Sequence, residues 1–255
     1  MTATQSVTRT TTNGMASIQR IAKVTGVLYL VITGLAGLVH FYVPGRLYVT
    51  GDTSATVNNI LASPSLFRWS IASELVLLLC EIAVCVLLYM LLRPVNHTLS
   101  LIAAAARLAM ATIHGANLLA SFFVLLLVGG TGYIAVIEPA QAGALAMLFI
   151  DASSYGFTIG VVFLALHATL LAYLIYASGY FPKILGILFV FAAAGYAIDA
   201  FGHVILPGYV TGAAYIAIPI ALAEIALPLW LLFRGVNSGH WLQRTQAPMA
   251  TLAQA

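Results

Sequence analysis

Six times along this chain an apolar run long enough to cross a bilayer is ended by turn chemistry. A helix needs about 20 apolar residues to traverse the hydrocarbon core. Only helices and closed barrels satisfy their own backbone there. The runs fall at 20–43, 67–92, 98–128, 155–177, 184–206 and 212–233. Between them stand Pro44-Gly45, Arg93-Pro94-Val95-Asn96, Gly129-Gly130-Thr131-Gly132, Gly179 to Lys183 and Pro207-Gly208, all turn-forming combinations. Only 7% of the residues are charged, against about a quarter in a soluble domain, so a water-facing surface is excluded. The fold class expected is all-α, a polytopic transmembrane helical bundle of about six spans. Two further segments read as helical without crossing. Residues 52–62 form a short surface helix capped by Asp52, and 139–153 are either re-entrant or an outward extension of the fourth span.

Basic residues orient the bundle. With the N-terminus inside, Arg9, Arg20, Lys23, Arg93, Lys183, Arg234 and Arg244 face the cytoplasm and only Arg46 and Arg68 lie outside, so the expected topology is N-in/C-in. The chain then divides into a disordered cytoplasmic tail at 1–17, a six-helix membrane domain at 18–237 and a second cytoplasmic tail at 238–255. Met1 to Ser17 hold no apolar stretch and do not read as a cleavable signal. Ten Lys and Arg scattered over the loops make no basic stripe, which argues against nucleic acid. The partners expected are the lipid bilayer and a small molecule or ion; the oligomeric state carries no signal. Cys80 and Cys85, five apart in one apolar run, read as buried free thiols.

A weak internal repeat runs through the spans. Lys23 to Tyr29 and Lys183 to Phe189 share a Lys-x-x-Gly-x-Leu-aromatic pattern, and Glu-Ile-Ala recurs at Glu81 and Glu224. A parallel duplication of this kind would place the two glutamates at equivalent depths.

Charged groups inside spans cost about 2.5–3.5 kcal/mol each on insertion scales and require interior partners. Counting 1.5 Å per residue from the cytoplasmic ends puts Glu81, Arg107, His167 and Glu224 at about 14–16 Å. The same count puts Glu74, His114, Asp199, His203 and His40 at about 22–30 Å. Glu74, Glu81, Arg107, His167 and Glu224 form the candidate ligand or ion network, with Arg107 pairing Glu81 and Glu224. Four carboxylates against one arginine leave a negative surplus that protons, imidazolium or a bound cation must offset.

His40, His114, Asp199 and His203, with Glu74, form a candidate metal set. Asp199 and His203 are four apart on one helical face, and mixed N/O ligands suit a divalent metal. Axial haem is disfavoured, because His114 and His167 differ in height by about 9 Å. No catalytic set is assigned: there is no Gly-x-Ser-x-Gly elbow, no HExxH and no phosphate loop. Asp151 beside Ser153 and Ser154 reads as a helix cap. Three functional readings stand open. They are binding or translocation of a small cation, proton or amphiphile, a metal-dependent intramembrane enzyme, and a structural or partner-binding module. The first expects Glu74, Arg107 and Glu224 to line one cavity.

Several charged positions recur in a recognisable pattern. Arg20 stands six residues before Gly26, Glu74 lies in the second span, Asn96 follows it, and Arg107 lies eleven residues further on. Tyr173 to Lys183 reads Tyr-Leu-Ile-Tyr-Ala-Ser-Gly-Tyr-Phe-Pro-Lys, and Glu224 to Gly235 fits Glu-x-x-Leu-x-x-Trp-Leu-x-x-x-Gly. In these the chain resembles the bacterial membrane proteins of domain of unknown function 4386, over residues 18–237. The resemblance implies a multi-pass protein of the bacterial plasma membrane and gives weight to Glu74, Arg107 and Glu224. It implies no reaction, and His40, His114 and His203 match nothing in the pattern.

Overall fold

The computed structural model describes residues 2–130, 132–209 and 213–252, and all regular structure among them is helical. Met1, Thr131, residues 253–255 and Gly212, where the sixth run was expected to begin, lie outside the described residues. In chain order the helices are α1 (Thr2–Ala36), α2 (Val43–Leu47), α3 (Thr53–Ala62), α4 (Pro64–Leu92), α5 (His97–Gly129), α6 (Pro139–Ser178), α7 (Lys183–Ile205), α8 (Ala214–Phe233) and α9 (Ser238–Leu252). A π-helical turn, Gly37–Tyr42, joins α1 to α2. Among the described residues six stretches are long and apolar enough to cross a membrane: Gly14–Leu47, then α4, α5, α6, α7 and α8. The chain is a multi-pass membrane protein.

Pro44-Gly45 does not end the first span. The helix widens into the π turn, and Pro44 then sits at the start of α2, where a missing N–H costs little. Asp52 caps α3 by accepting from Ala55 N at 2.8 Å, and Asn96 caps α5 by accepting from Leu99 N at 3.0 Å. Residues 139–153 are the outward extension and not a re-entrant loop, since α6 runs unbroken for 40 residues. That is about 60 Å of helix, twice the hydrocarbon thickness. The projecting part is covered by α3: Thr53 and Val57 lie against Gly143. Pro219 and Pro228 are both accommodated inside α8.

Each span packs on its successor, and α8 returns to α1, so the six close into a ring. Both described chain ends lie at one end of it, where α1 meets α9. The repeated glycines mark close helix approaches. A Cβ on Gly26 would meet the Pro228 carbonyl and Leu232 N of α8, and one on Gly186 would meet the Ala172 carbonyl and Tyr176 N of α6. Two apolar clusters fill the ring. One, around Leu91, Leu171, Phe189 and Leu231, occupies the half nearest the termini. The other, around Leu47, Ile60, Phe67 and Leu127, occupies the far half.

The segment after α8 closes the terminal end. Tyr180 OH and Trp241 Nε1 both donate to the Leu91 carbonyl, at 2.7 and 3.0 Å. Arg244 Nη2 donates to Ala177 O at 2.8 Å, and the Gln19 amide donates to Val236 O and to Ser238 Oγ. Burial holds the Tyr180 hydroxyl well above the usual phenol range, so it remains a donor.

Candidate functional site

At mid-height all six spans contribute one side chain to a single polar cluster. Arg107 of α5 is 2% exposed, and its Nε donates to Glu81 Oε2 of α4 at 2.5 Å. Its Nη1 lies 3.2 Å from Tyr29 OH of α1 and 3.2 Å from His167 Nε2 of α6. The guanidinium also sits over the Tyr29 ring, 4.7 Å from its centroid. Tyr196 of α7 donates its hydroxyl to Glu224 Oε1 of α8 at 3.0 Å. Glu224 stands near enough to Tyr29 and Arg107 to interact with both.

The hydrogen bonds fix the state of His167. Its Nδ1 is 2.8 Å from the Ala103 carbonyl, which can only accept, so Nδ1 carries the proton. Guanidinium can only donate, so Nε2 must accept from Arg107. His167 is thereby held as one neutral tautomer. This cluster is satisfied from within by groups of its own making. A buried charge left in this way is weak support for stability but costly to break.

One to two turns further from the termini lies a different arrangement, a cavity of about 670 Å³. Its wall includes His40, Glu74, His114, Asn117, Asp151, Phe157, Asp199 and His203. Helix spacing explains the change of layer. Glu74 and Glu81 are two turns apart on α4, about 10.5 Å along its axis, so they share a face but not a height. His40 comes from the π turn, a feature often found at functional sites. His114 and Asn117 enter the wall because α6 carries glycine opposite each: a Cβ on Gly160 or Gly156 would overlap the His114 ring or the Asn117 amide.

Three rings form a column on this wall. Phe157 is stacked on His114 (centroids 4.9 Å, 12° between planes) and tilted against His40 at 4.7 Å. His114 Nε2 is engaged with Phe157 O at 3.2 Å. Asn117 Nδ2 donates to Ser153 O at 2.8 Å, and Tyr209 OH donates to Asp199 at 3.4 Å. His203 packs edge-on against Tyr155. At the rim, burial pushes the Tyr48 hydroxyl up to about 12, so it stays a neutral phenol.

Two atoms on this wall are unlike the rest. Glu74 is 6% exposed, and its Oε2 has no hydrogen-bond partner among the described residues. His40 Nε2 stands 3.4 Å from that oxygen, but off hydrogen-bond geometry. The second is His203 Nδ1, also buried without a hydrogen-bond partner among the described residues.

Of the expected network, Glu81, Arg107, His167 and Glu224 meet at mid-height, whereas Glu74 belongs to the cavity. The expectation that Glu74, Arg107 and Glu224 share one cavity therefore divides, since neither Arg107 nor Glu224 lines it. His40, His114, Asp199 and His203 all line it, yet among the described residues no three His, Cys, Asp or Glu side chains gather as a metal-binding group. Sequence reasoning left Tyr29 and Tyr196 out of the network. The signal available was their place on the polar stripes of their helices, three residues after Gly26 and three before Asp199.

The family model for Domain of unknown function (DUF4386) matches residues 24–235. The chain belongs to this family. The DUF4386 match takes in every cluster and cavity residue described above but stops short of α9, so the Trp241 and Arg244 contacts lie beyond it. An Archaeoglobus fulgidus protein called "Uncharacterized protein" is 27% identical over 167 residues, covering 66% of this DUF4386 chain and 84% of its own length. No solved structure matches.

Proposed function

We propose that this protein binds a small organic molecule, cationic or amphiphilic, in the cavity of the far half, and that the mid-height cluster is the structural keystone beneath it. The carrying observation is the buried oxygen of Glu74 on the cavity wall, which has His40 Nε2 at 3.4 Å but no hydrogen-bond partner among the described residues. Leaving such a group without a partner costs about 1–3 kcal/mol or more, a cost that a ligand donor would remove. The volume falls within the usual range for small-molecule sites. The Arg107 cluster, by contrast, has its groups engaged with one another, which supports a packing role.

In the proposed topology the two termini face the cytoplasm, so the cavity opens on the outer side of a bacterial plasma membrane. The basic-residue bias supports this orientation.

Ligand binding to the native state raises its stability by RT ln(1 + [L]/Kd), about 2.7 kcal/mol at a hundredfold excess over Kd. A thermal-shift screen of the purified full chain against small amines, alcohols and acids tests the reading directly. Stabilising compounds should lose their effect in Ser121→Trp, which fills the cavity. A screen without hits, or hits indifferent to Ser121→Trp, would overturn it.

A further inference from the structure

Resting on the cavity's being a binding site, the geometry points to a narrower class of occupant. We infer that it is a primary or secondary organic amine whose ammonium donates to Glu74 while its apolar body lies against the His40–Phe157–His114 column.

The charge balance of the wall is the first ground. Glu74, Asp151 and Asp199 line the cavity beside the imidazoles of His40, His114 and His203, and none of the described lining residues is lysine or arginine. A phosphate or carboxylate ligand would meet three carboxylates and no guanidinium or ammonium. A cationic ligand meets the opposite case.

Hydrogen-bond chemistry narrows the cation. The unpartnered atom is a carboxylate oxygen, an acceptor that needs an N–H or O–H donor. A quaternary ammonium has none to offer, and a protonated primary or secondary amine has two or three. A bare metal ion is disfavoured for another reason: it needs several ligands at short range, and among the described residues no three metal-binding side chains come together.

The surroundings of Glu74 supply the apolar half of the site. His40 is its immediate neighbour, Phe157 packs on His40, and His114 stacks beyond. Phe67 and Phe149 line the same cavity. An aromatic wall beside a carboxylate recognises an ammonium both through its charge and through its attached hydrocarbon. His40 forms a second wall of the site, its ring held against Phe157 with Nε2 3.4 Å from the Glu74 oxygen.

The test is isothermal titration of the full chain in nanodiscs, with empty nanodiscs as blank. The probes are 2-phenylethylamine, its neutral isostere 2-phenylethanol and its quaternary trimethylammonium counterpart. The amine should bind about tenfold or more tightly than either analogue, the gain expected for one charge-assisted hydrogen bond. Glu74→Gln should erase that preference, bringing the amine's affinity to within about twofold of the alcohol's. Equal binding of amine and alcohol to the unaltered protein would overturn the amine assignment while leaving a binding cavity. Binding of none of the three, together with a screen without hits, would overturn the cavity reading as well. If Glu74→Gln does not fold, the ranking of the three probes on the unaltered protein still decides.

Discussion

Removing the carboxylate of Glu81 should be among the most damaging single changes this protein can suffer. Glu81 is 4% exposed and Arg107 2%, and Glu81 accepts from the guanidinium Nε. Glu81→Ala would leave a guanidinium at mid-height hydrogen-bonded only to the neutral Tyr29 hydroxyl and His167 nitrogen, with Glu224 as a nearby carboxyl outside hydrogen-bond contact. Breaking one side of a buried pair costs about 3–5 kcal/mol. Arg107→Met should cost less than Glu81→Ala, because the orphaned carboxyl can take up a proton whereas arginine cannot lose one. The double variant Glu81→Leu with Arg107→Met should recover part of the loss, since an apolar pair of similar volume replaces two charges. The assay is equilibrium unfolding by SDS titration from mixed micelles, with helicity as the readout and all four corners of the Glu81→Leu, Arg107→Met cycle measured beside Glu81→Ala. A Glu81→Ala protein within 1 kcal/mol of the parent, or a double variant worse than the sum of the singles, would refute the reasoning.

Three further outcomes are expected. Gly160→Val should destabilise by about 1–3 kcal/mol through overlap with the His114 ring, while Gly34→Ala, which meets nothing within 4 Å, should be neutral; melting temperatures in detergent compare the two. Trp241→Phe should cost about 0.5–1.5 kcal/mol and speed protease cleavage after α8, with Trp241→Phe plus Tyr180→Phe worse than either because both donate to Leu91 O. In intact cells, a membrane-impermeant thiol reagent should label Asn59→Cys and spare Asn96→Cys; the reverse pattern would invert the proposed topology.

Much of the architecture was written in hydropathy, because membrane-length apolar runs have few alternative folds. Asp52 announced α3 through its capping chemistry, and that helix is where the sequence places it. Residues 139–153 resisted reading from pattern alone: a short apolar run suits a re-entrant loop as well as a helix, and the decision rests on α6 running through it unbroken, with α3 covering it at Gly143. The π turn was illegible for a related reason. Nothing in Gly37 to Tyr42 distinguishes a wide turn from an ordinary one, yet it carries His40 to Glu74. Height along the helix correctly separated the polar residues into layers, since the 1.5 Å rise is a fixed ruler. What it could not supply was azimuth between helices. Hence Tyr29 and Tyr196, placed by helical spacing on the inward faces of their spans, were not matched to Arg107 and Glu224. Phe157, which holds two imidazoles apart, carried no polar signal.

The distribution of the mid-height cluster over all six spans has a consequence for biosynthesis. Arg107 finds its carboxylate on α4, the helix made just before it and joined to it by only Arg93 to Asn96. Glu224 likewise finds a hydroxyl on α7, its immediate predecessor. Each charge can therefore leave the translocation machinery as half of a neutral or hydrogen-bonded hairpin. Tyr29, already in the bilayer, and His167, made later, then lock the hairpins to one another. Charge placement and order of synthesis thus agree, and a circularly permuted chain that separates α4 from α5 would have to insert Arg107 without its partner.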